Sequence, residues 1–120
     1  MLLIKDIIWI SEKIGEADVV VTDGNYEIRC FAHPFYQTKG EEVDGTISVF
    51  ESSDLKRSMK TEYVVEHLGN GEYFLVARIL DNIEGIVQIG EICIHDIEGI
   101  PSEIKAGEYV QFVAPRVDLW

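Results

Sequence analysis

The stretch Glu16–His33, EADVVVTDGNYEIRCFAH, decides the class of fold. Val19, Val20 and Val21 form a β-branched run, and stiff branched side chains fit the pleated surface of a strand. Asp23, Gly24 and Asn25 are turn formers: glycine accepts positive φ, and Asp and Asn side chains bond their own backbone. Beyond them Tyr26, Ile28 and Cys30 alternate with Glu27 and Arg29, the two-residue period of a strand with one face inward and one in water. The stretch is predicted as a β-hairpin. Pro34 offers no N–H to a ladder, so the second strand ends at or before it.

Outward from this hairpin the same rhythm continues, with short apolar runs separated by Gly, Asn and Asp. YQTKGEEVDG reads as a loop, and TISVF as a short strand with Ile47 and Val49 on one face. ESSDLKRSMK offers Ser52, Ser53 and Asp54 as N-caps, so it reads as a helical turn or a loop. It also holds Lys56, Arg57 and Lys60, the one local cluster of positive charge. TEYVVEHLGNGEYFLVARIL is a second hairpin turning at Asn70–Gly71, a pair that accepts positive φ cheaply. EGIVQIGEICIHD reads as one strand with a bulge at Gly90. Pro101–Ala106 suits one short helical turn, and Tyr109–Val113 a closing strand. Near the start, IIWI is either an edge strand or part of a short amphipathic helix running to Lys13. The expectation is an all-β single domain over residues 1–120: a Greek-key barrel or two-sheet sandwich of about seven strands, with one short helical turn near the C-terminus. PSEIKAGE feeding YVQF, with its G-x-x-V-x-F pattern, resembles the closing segments of OB-fold-like and SH3-like barrels. In its small size and acidic composition the chain resembles small acidic β-proteins of bacterial genomes, some of which serve as immunity proteins. Those resemblances imply a barrel and a binding role.

Length and composition bound the function. A chain of 120 residues buries about two-thirds of its unfolded surface without disulfide or metal staples. Twenty-two acidic residues face ten Lys and Arg, a net charge of -12. That excess repels nucleic-acid phosphates and anionic membranes and attracts basic partners. Aromatic residues such as Tyr26, Phe31, Tyr63, Tyr73 and Phe74 lack the positive groove that single-stranded nucleic acid needs. No apolar run reaches the length of a membrane helix, no signal sequence is visible, and two cysteines are too few for a disulfide scaffold. A cytoplasmic protein with reduced thiols is expected, with neither nucleic acid nor membrane as partner.

The pairs Cys30/His33 and Cys93/His95 are the candidate metal or pocket residues, because zinc takes Cys and His at such spacings. Against a metal site, Ile92 and Ile94 are the natural inward residues of their strand. That turns Cys93 and His95 outward, while Cys30 faces inward with Tyr26 and Ile28. No metal and no cofactor are expected. Cys93, His95 and Asp96, or Cys30 with His33, are the only nucleophile-and-base groupings, and no nucleophile elbow surrounds any serine. Catalytic residues are not assigned, and an enzyme is the less favoured reading. The leading expectation is a non-enzymatic interaction module whose acidic face engages a basic protein in the manner of an immunity or inhibitor protein. Glu41, Glu42 and Asp44, with Glu62, Glu66 and Glu72 on the second hairpin, are its expected contacts. The alternative is a small-molecule-binding or catalytic barrel with a pocket near Cys93, His95 and His33. Leu119 and Trp120 form a bulky apolar pair, expected to pack against the barrel or a second subunit in a homodimer.

Overall fold

In the computed structural model, which describes residues 1–120, β2 (Glu16–Thr22) and β3 (Glu27–Ala32) form the expected hairpin, running from Ala17 opposite Ala32 to Thr22 opposite Glu27. Asp23 holds the turn: its Oδ1 accepts hydrogen bonds from the N–H groups of Asn25 at 2.8 Å and Tyr26 at 2.7 Å. β3 ends two residues before Pro34. IIWI lies in an edge strand, β1 (Leu3–Ser11), antiparallel to β2. The other strands are β4 (Ile47–Val49), β5 (Ser53–Arg57), β6 (Val64–Gly69), β7 (Glu72–Asp81), β8 (Ile86–Ile89), β9 (Ile92–His95), β10 (Tyr109–Ala114) and β11 (Val117–Leu119).

These eleven strands make one open mixed sheet in the order β1-β2-β3-β11-β4-β9-β8-β7-β10-β5, with β6 attached to β7. Eight ladders are antiparallel, whereas β3–β11 and β4–β9 are parallel. The expected seven-stranded closed barrel, and the sandwich of two separate sheets, are therefore corrected to a single hydrogen-bonded sheet ending at β1 and β5. The barrel implied by YVQF fails with them: β10, which contains it, joins β7 and β5 within the open sheet.

The four strands beyond the expected seven are β1, which the sequence left open as strand or helix, β5, β11, and the second of the two strands into which the turn at Gly90 divides EGIVQIGEICIHD. Gly90 is the turn between β8 and β9 rather than a bulge within one strand, since Ile89 pairs with Ile92. The polar segment read as a helical turn or loop contains β5, which pairs with β10 and sets only Leu55 against the core. The short helical turn expected near the C-terminus is absent there. Pro101–Ala106 forms turns with an Ile104 N–H to Pro101 O bond of 3.0 Å, and the one helical turn of the chain is a 3-10 turn at Glu12–Ile14.

One core serves all eleven strands because the sheet curls back on itself. β7 pairs with β10 along one edge, and along the other it pairs first with β6 and then with β8. Three contacts then join the β2–β3 end of the sheet to this distant part. The Arg29 N–H donates to Tyr73 Oη at 2.9 Å, Tyr26 meets Tyr63 edge to face at 5.6 Å, and the Glu91 N–H donates to Asp23 Oδ2 at 2.9 Å. Burial pushes the Tyr73 phenol above its ordinary pKa, although the Arg29 N–H favours the ionised form. The enclosed cluster holds 25 buried residues, with Phe112, Ile28, Leu75 and Ile79 among its largest side chains. No helix is long and apolar enough to cross a membrane.

Candidate functional site

The two parallel ladders build the most chemically varied surface of the molecule. Across the centre of the sheet Ala17, Ala32, Leu119, Ile47 and Ile94 oppose one another in a row, all buried, and face the core. The adjacent row, Asp18–Phe31–Asp118–Ser48–His95, must project to the opposite face, because side chains alternate along a strand and opposed residues share a face. Just beyond the ends of β4 and β11, Phe50 and Trp120 border one hollow together with Phe31 and Asp118 of this row. The Phe50 and Trp120 rings meet edge to face at 5.9 Å.

Ser48 and Asp118 sit under this layer, 1% and 8% exposed. Neither Ser48 Oγ nor Asp118 Oδ1 has a hydrogen-bond partner. Arg116 Nε lies 2.7 Å from Asp118 Oδ1, so the charges touch, but its N–H is not aligned with that oxygen for a hydrogen bond. The Arg116 guanidinium also stacks over the Phe31 ring, 4.6 Å from its centroid. Arg29 is pinned in turn by Asp18 Oδ2, through Nε at 3.2 Å and Nη2 at 2.8 Å. Arg116 separates two hollows. One of about 480 Å³ is bordered by Asp18, Arg29, His67 and the Asn70–Gly71 turn, and one of about 310 Å³ by Phe31, His33, Phe50, Asp118 and Trp120.

The residues singled out for metal or pocket chemistry are divided by this geometry. Cys30 is fully buried on the core face, while His33 borders the smaller hollow. Cys93 is exposed on the outer side of β9, and His95 ends the polar row. Of these four, only His33 borders a hollow, and no three His, Cys, Asp or Glu side chains converge as a metal site. Burial raises the pKa of the Cys30 thiol far above its ordinary value, and the carboxylates of Asp118 and Asp18 add to the rise, so the thiolate nucleophile does not form there. Ser48 stands between His95 and Asp118, whereas a triad needs the histidine in the middle, and Ser48 Oγ bonds to neither.

The expected acidic contacts are all exposed but stand on separate elements. Glu41 and Glu42 belong to a loop that pairs with the start of β1, through an Ile4 N–H to Glu41 O bond of 2.9 Å and the Leu3–Glu42 bridge. The Glu41 side chain is engaged within its own loop, accepting from the Thr38 N–H at 2.6 Å. Glu62, Glu66 and Glu72 lie on or beside the β6–β7 arm. A denser acidic end, unforeseen in the sequence, forms where loops meet. The Ile97 N–H donates to Gly85 O at 3.0 Å and Asn82 Nδ2 to Ile104 O at 3.2 Å. Those bonds tie the turn that carries Asp81 and Glu84 to the segments that carry Asp96, Glu98 and Glu103, and the same turn leaves Ile83 89% exposed. The sequence shows Asp81 with Glu84 and Asp96 with Glu98 as acidic pairs near turns but not their approach, which needs a glycine at 85, where a Cβ would lie 2.2 Å from Ile97 O. Leu119 is buried as expected, but Trp120 remains 70% exposed beside Phe50. Comparison with protein-family models, with curated proteins and with solved structures finds no match to this chain.

Proposed function

We propose that this chain is a non-enzymatic interaction module whose acidic surface engages a basic protein, as an immunity or inhibitor protein does. The observation that carries this reading is the acidic end formed by the β7–β8 turn and the segment after β9. Four carboxylates there, Glu84, Asp96, Glu98 and Glu103, are exposed and take part in no ion pair, and the same turn exposes Ile83. In the whole chain only five of the 22 acidic side chains are ion-paired, those of Asp18, Glu27, Glu91, Glu108 and Asp118. An apolar anchor on a charged surface is a common interface arrangement, in which burial supplies affinity and the charges speed encounter and select the partner. Glu62, Glu66 and Glu72, with Glu41, Glu42 and Asp44, extend the field over other faces. The two cysteines, both unpaired, fit a reducing cytoplasmic compartment.

The test uses the protein as bait in an extract of its own cells, with a salt gradient for elution. An E84Q/D96N/E98Q/E103Q variant serves as the control. Asp81 is left intact because its Oδ1 accepts the Ile83 and Glu84 N–H groups, both at 2.9 Å, and so holds the turn. A basic protein retained at low salt, released as salt rises and held weakly by the variant is the expected result. Retention indifferent to both salt and the variant would reject the electrostatic reading.

A further inference from the structure

The geometry points to the smaller hollow on the outer face, between Phe50, Trp120 and Asp118, as a socket for an arginine side chain of the basic partner; this rests on the proposed module function. Asp118 is 8% exposed, borders the hollow, and has an oxygen, Oδ1, with no hydrogen bond. Its cross-strand neighbour Ser48, 1% exposed, has its Oγ in the same condition. A buried acceptor without an aligned hydrogen bond costs free energy that a better-aligned N–H donor recovers. Acceptors of this kind select a cation that carries N–H groups, which rules out quaternary ammonium.

The walls favour guanidinium over ammonium. Phe50 and Trp120 meet edge to face at 5.9 Å, and planar guanidinium stacks on such rings while keeping its N–H edge free for a carboxylate. The molecule already shows this chemistry on its other wall, where Arg116 stacks on Phe31 and touches Asp118 Oδ1. Arg116 is exposed, with 59% of its side chain open to solvent, so it can swing aside to let a better-aligned donor reach Oδ1. Glu51, which borders an adjoining hollow with Phe50, Arg116 and Asp118, offsets the charge that a second guanidinium brings. The larger hollow is a poorer site for an anion. Its Arg29 is already paired with Asp18, and the net charge of -12 opposes anions at long range.

The test is a titration by proton–nitrogen correlation NMR, with acetyl-Gly-Arg-Gly-amide as probe and the citrulline peptide as its uncharged isostere. The chain has two tryptophans, Trp9 and Trp120, hence two indole N–H signals, and W120F assigns them. The Trp120 signal is expected to shift saturably, with a dissociation constant of about 1–10 mM, while the Trp9 signal stays in place. The citrulline peptide is expected to leave both unmoved. F50A, which alters an exposed ring, should weaken binding about threefold, and D118N about tenfold. An unmoved Trp120 signal, equal response to citrulline, or unchanged affinity in folded F50A overturns the socket. If Trp120 stays silent while salt-sensitive capture of a basic protein persists, the socket is wrong and the acidic surface stands. If the arginine peptide binds as described but no basic protein is captured, the socket stands and the module reading fails.

Discussion

Asp23 ties two turns together. Burial works against its charged form, but N–H bonds from Glu91, Tyr26 and Asn25 outweigh that and hold its carboxyl below the ordinary 3.8. A carboxyl depressed on folding adds stability that is present above its unfolded pKa and is lost as pH falls through the folded value. Urea unfolding from about pH 6 to about pH 3 should therefore show an acid decline that D23N flattens while lowering stability near neutrality. An unchanged acid limb in D23N would contradict this. Gly90 lies against the same carboxylate at φ 58, and a Cβ there would meet Asp23 Oδ2 at 2.3 Å and Tyr26 Cδ2 at 2.9 Å. G90A is expected to cost roughly 2 kcal/mol in denaturant unfolding. The cysteines give a third check at this scale. In native protein a thiol reagent should titrate exposed Cys93 alone, with buried Cys30 reacting only after unfolding. Two equivalents reacting at once in folded protein would show that the core face of β3 is open.

Among the elements, β7 carries the most packing, since it has partners on both edges and five fully or almost fully buried residues in Leu75, Val76, Ala77, Ile79 and Tyr73. Leu75→Ala should cost about 3 kcal/mol. Ile8→Ala on edge strand β1, where the side chain is already 38% exposed, should cost under about 1 kcal/mol. Urea midpoints of the two variants check the ranking, and equal losses would contradict it. The same elements show what could be read beforehand. The hairpins at Asp23–Asn25 and Asn70–Gly71 were legible because turn chemistry and alternation are local. Gly90 was not, since buried Val87, Ile89, Ile92 and Ile94 change phase between 89 and 92. A bulge and a two-residue turn produce the same change. β5 has no buried residue to reveal it, only Leu55 half-buried, and its pairing with β10 is settled by tertiary contact. The polar row through Phe31, Asp118, Ser48 and His95 depends on two parallel ladders between distant segments. Periodicity along the chain carries no record of such neighbours, so the outer face of Cys93 was readable while its companions were not.

At the scale of the whole molecule, one curled sheet encloses an apolar core and leaves most of the carboxylates on the outside without ion partners. The acidic end is a product of folding: the Ile97 N–H to Gly85 O bond ties the turn carrying Asp81 and Glu84 to the segment carrying Asp96 and Glu98. Acidic charge left without ion partners makes association with a basic surface fast and sensitive to salt. The most direct measurement is the association rate of the captured basic protein with wild type and with E84Q/D96N/E98Q/E103Q, across a salt series from about 50 to about 500 mM. The expected result is a rate that falls at least about tenfold for wild type, with a slower and flatter series for the variant. Superimposable series for the two proteins would contradict the claim that this acidic end receives the partner.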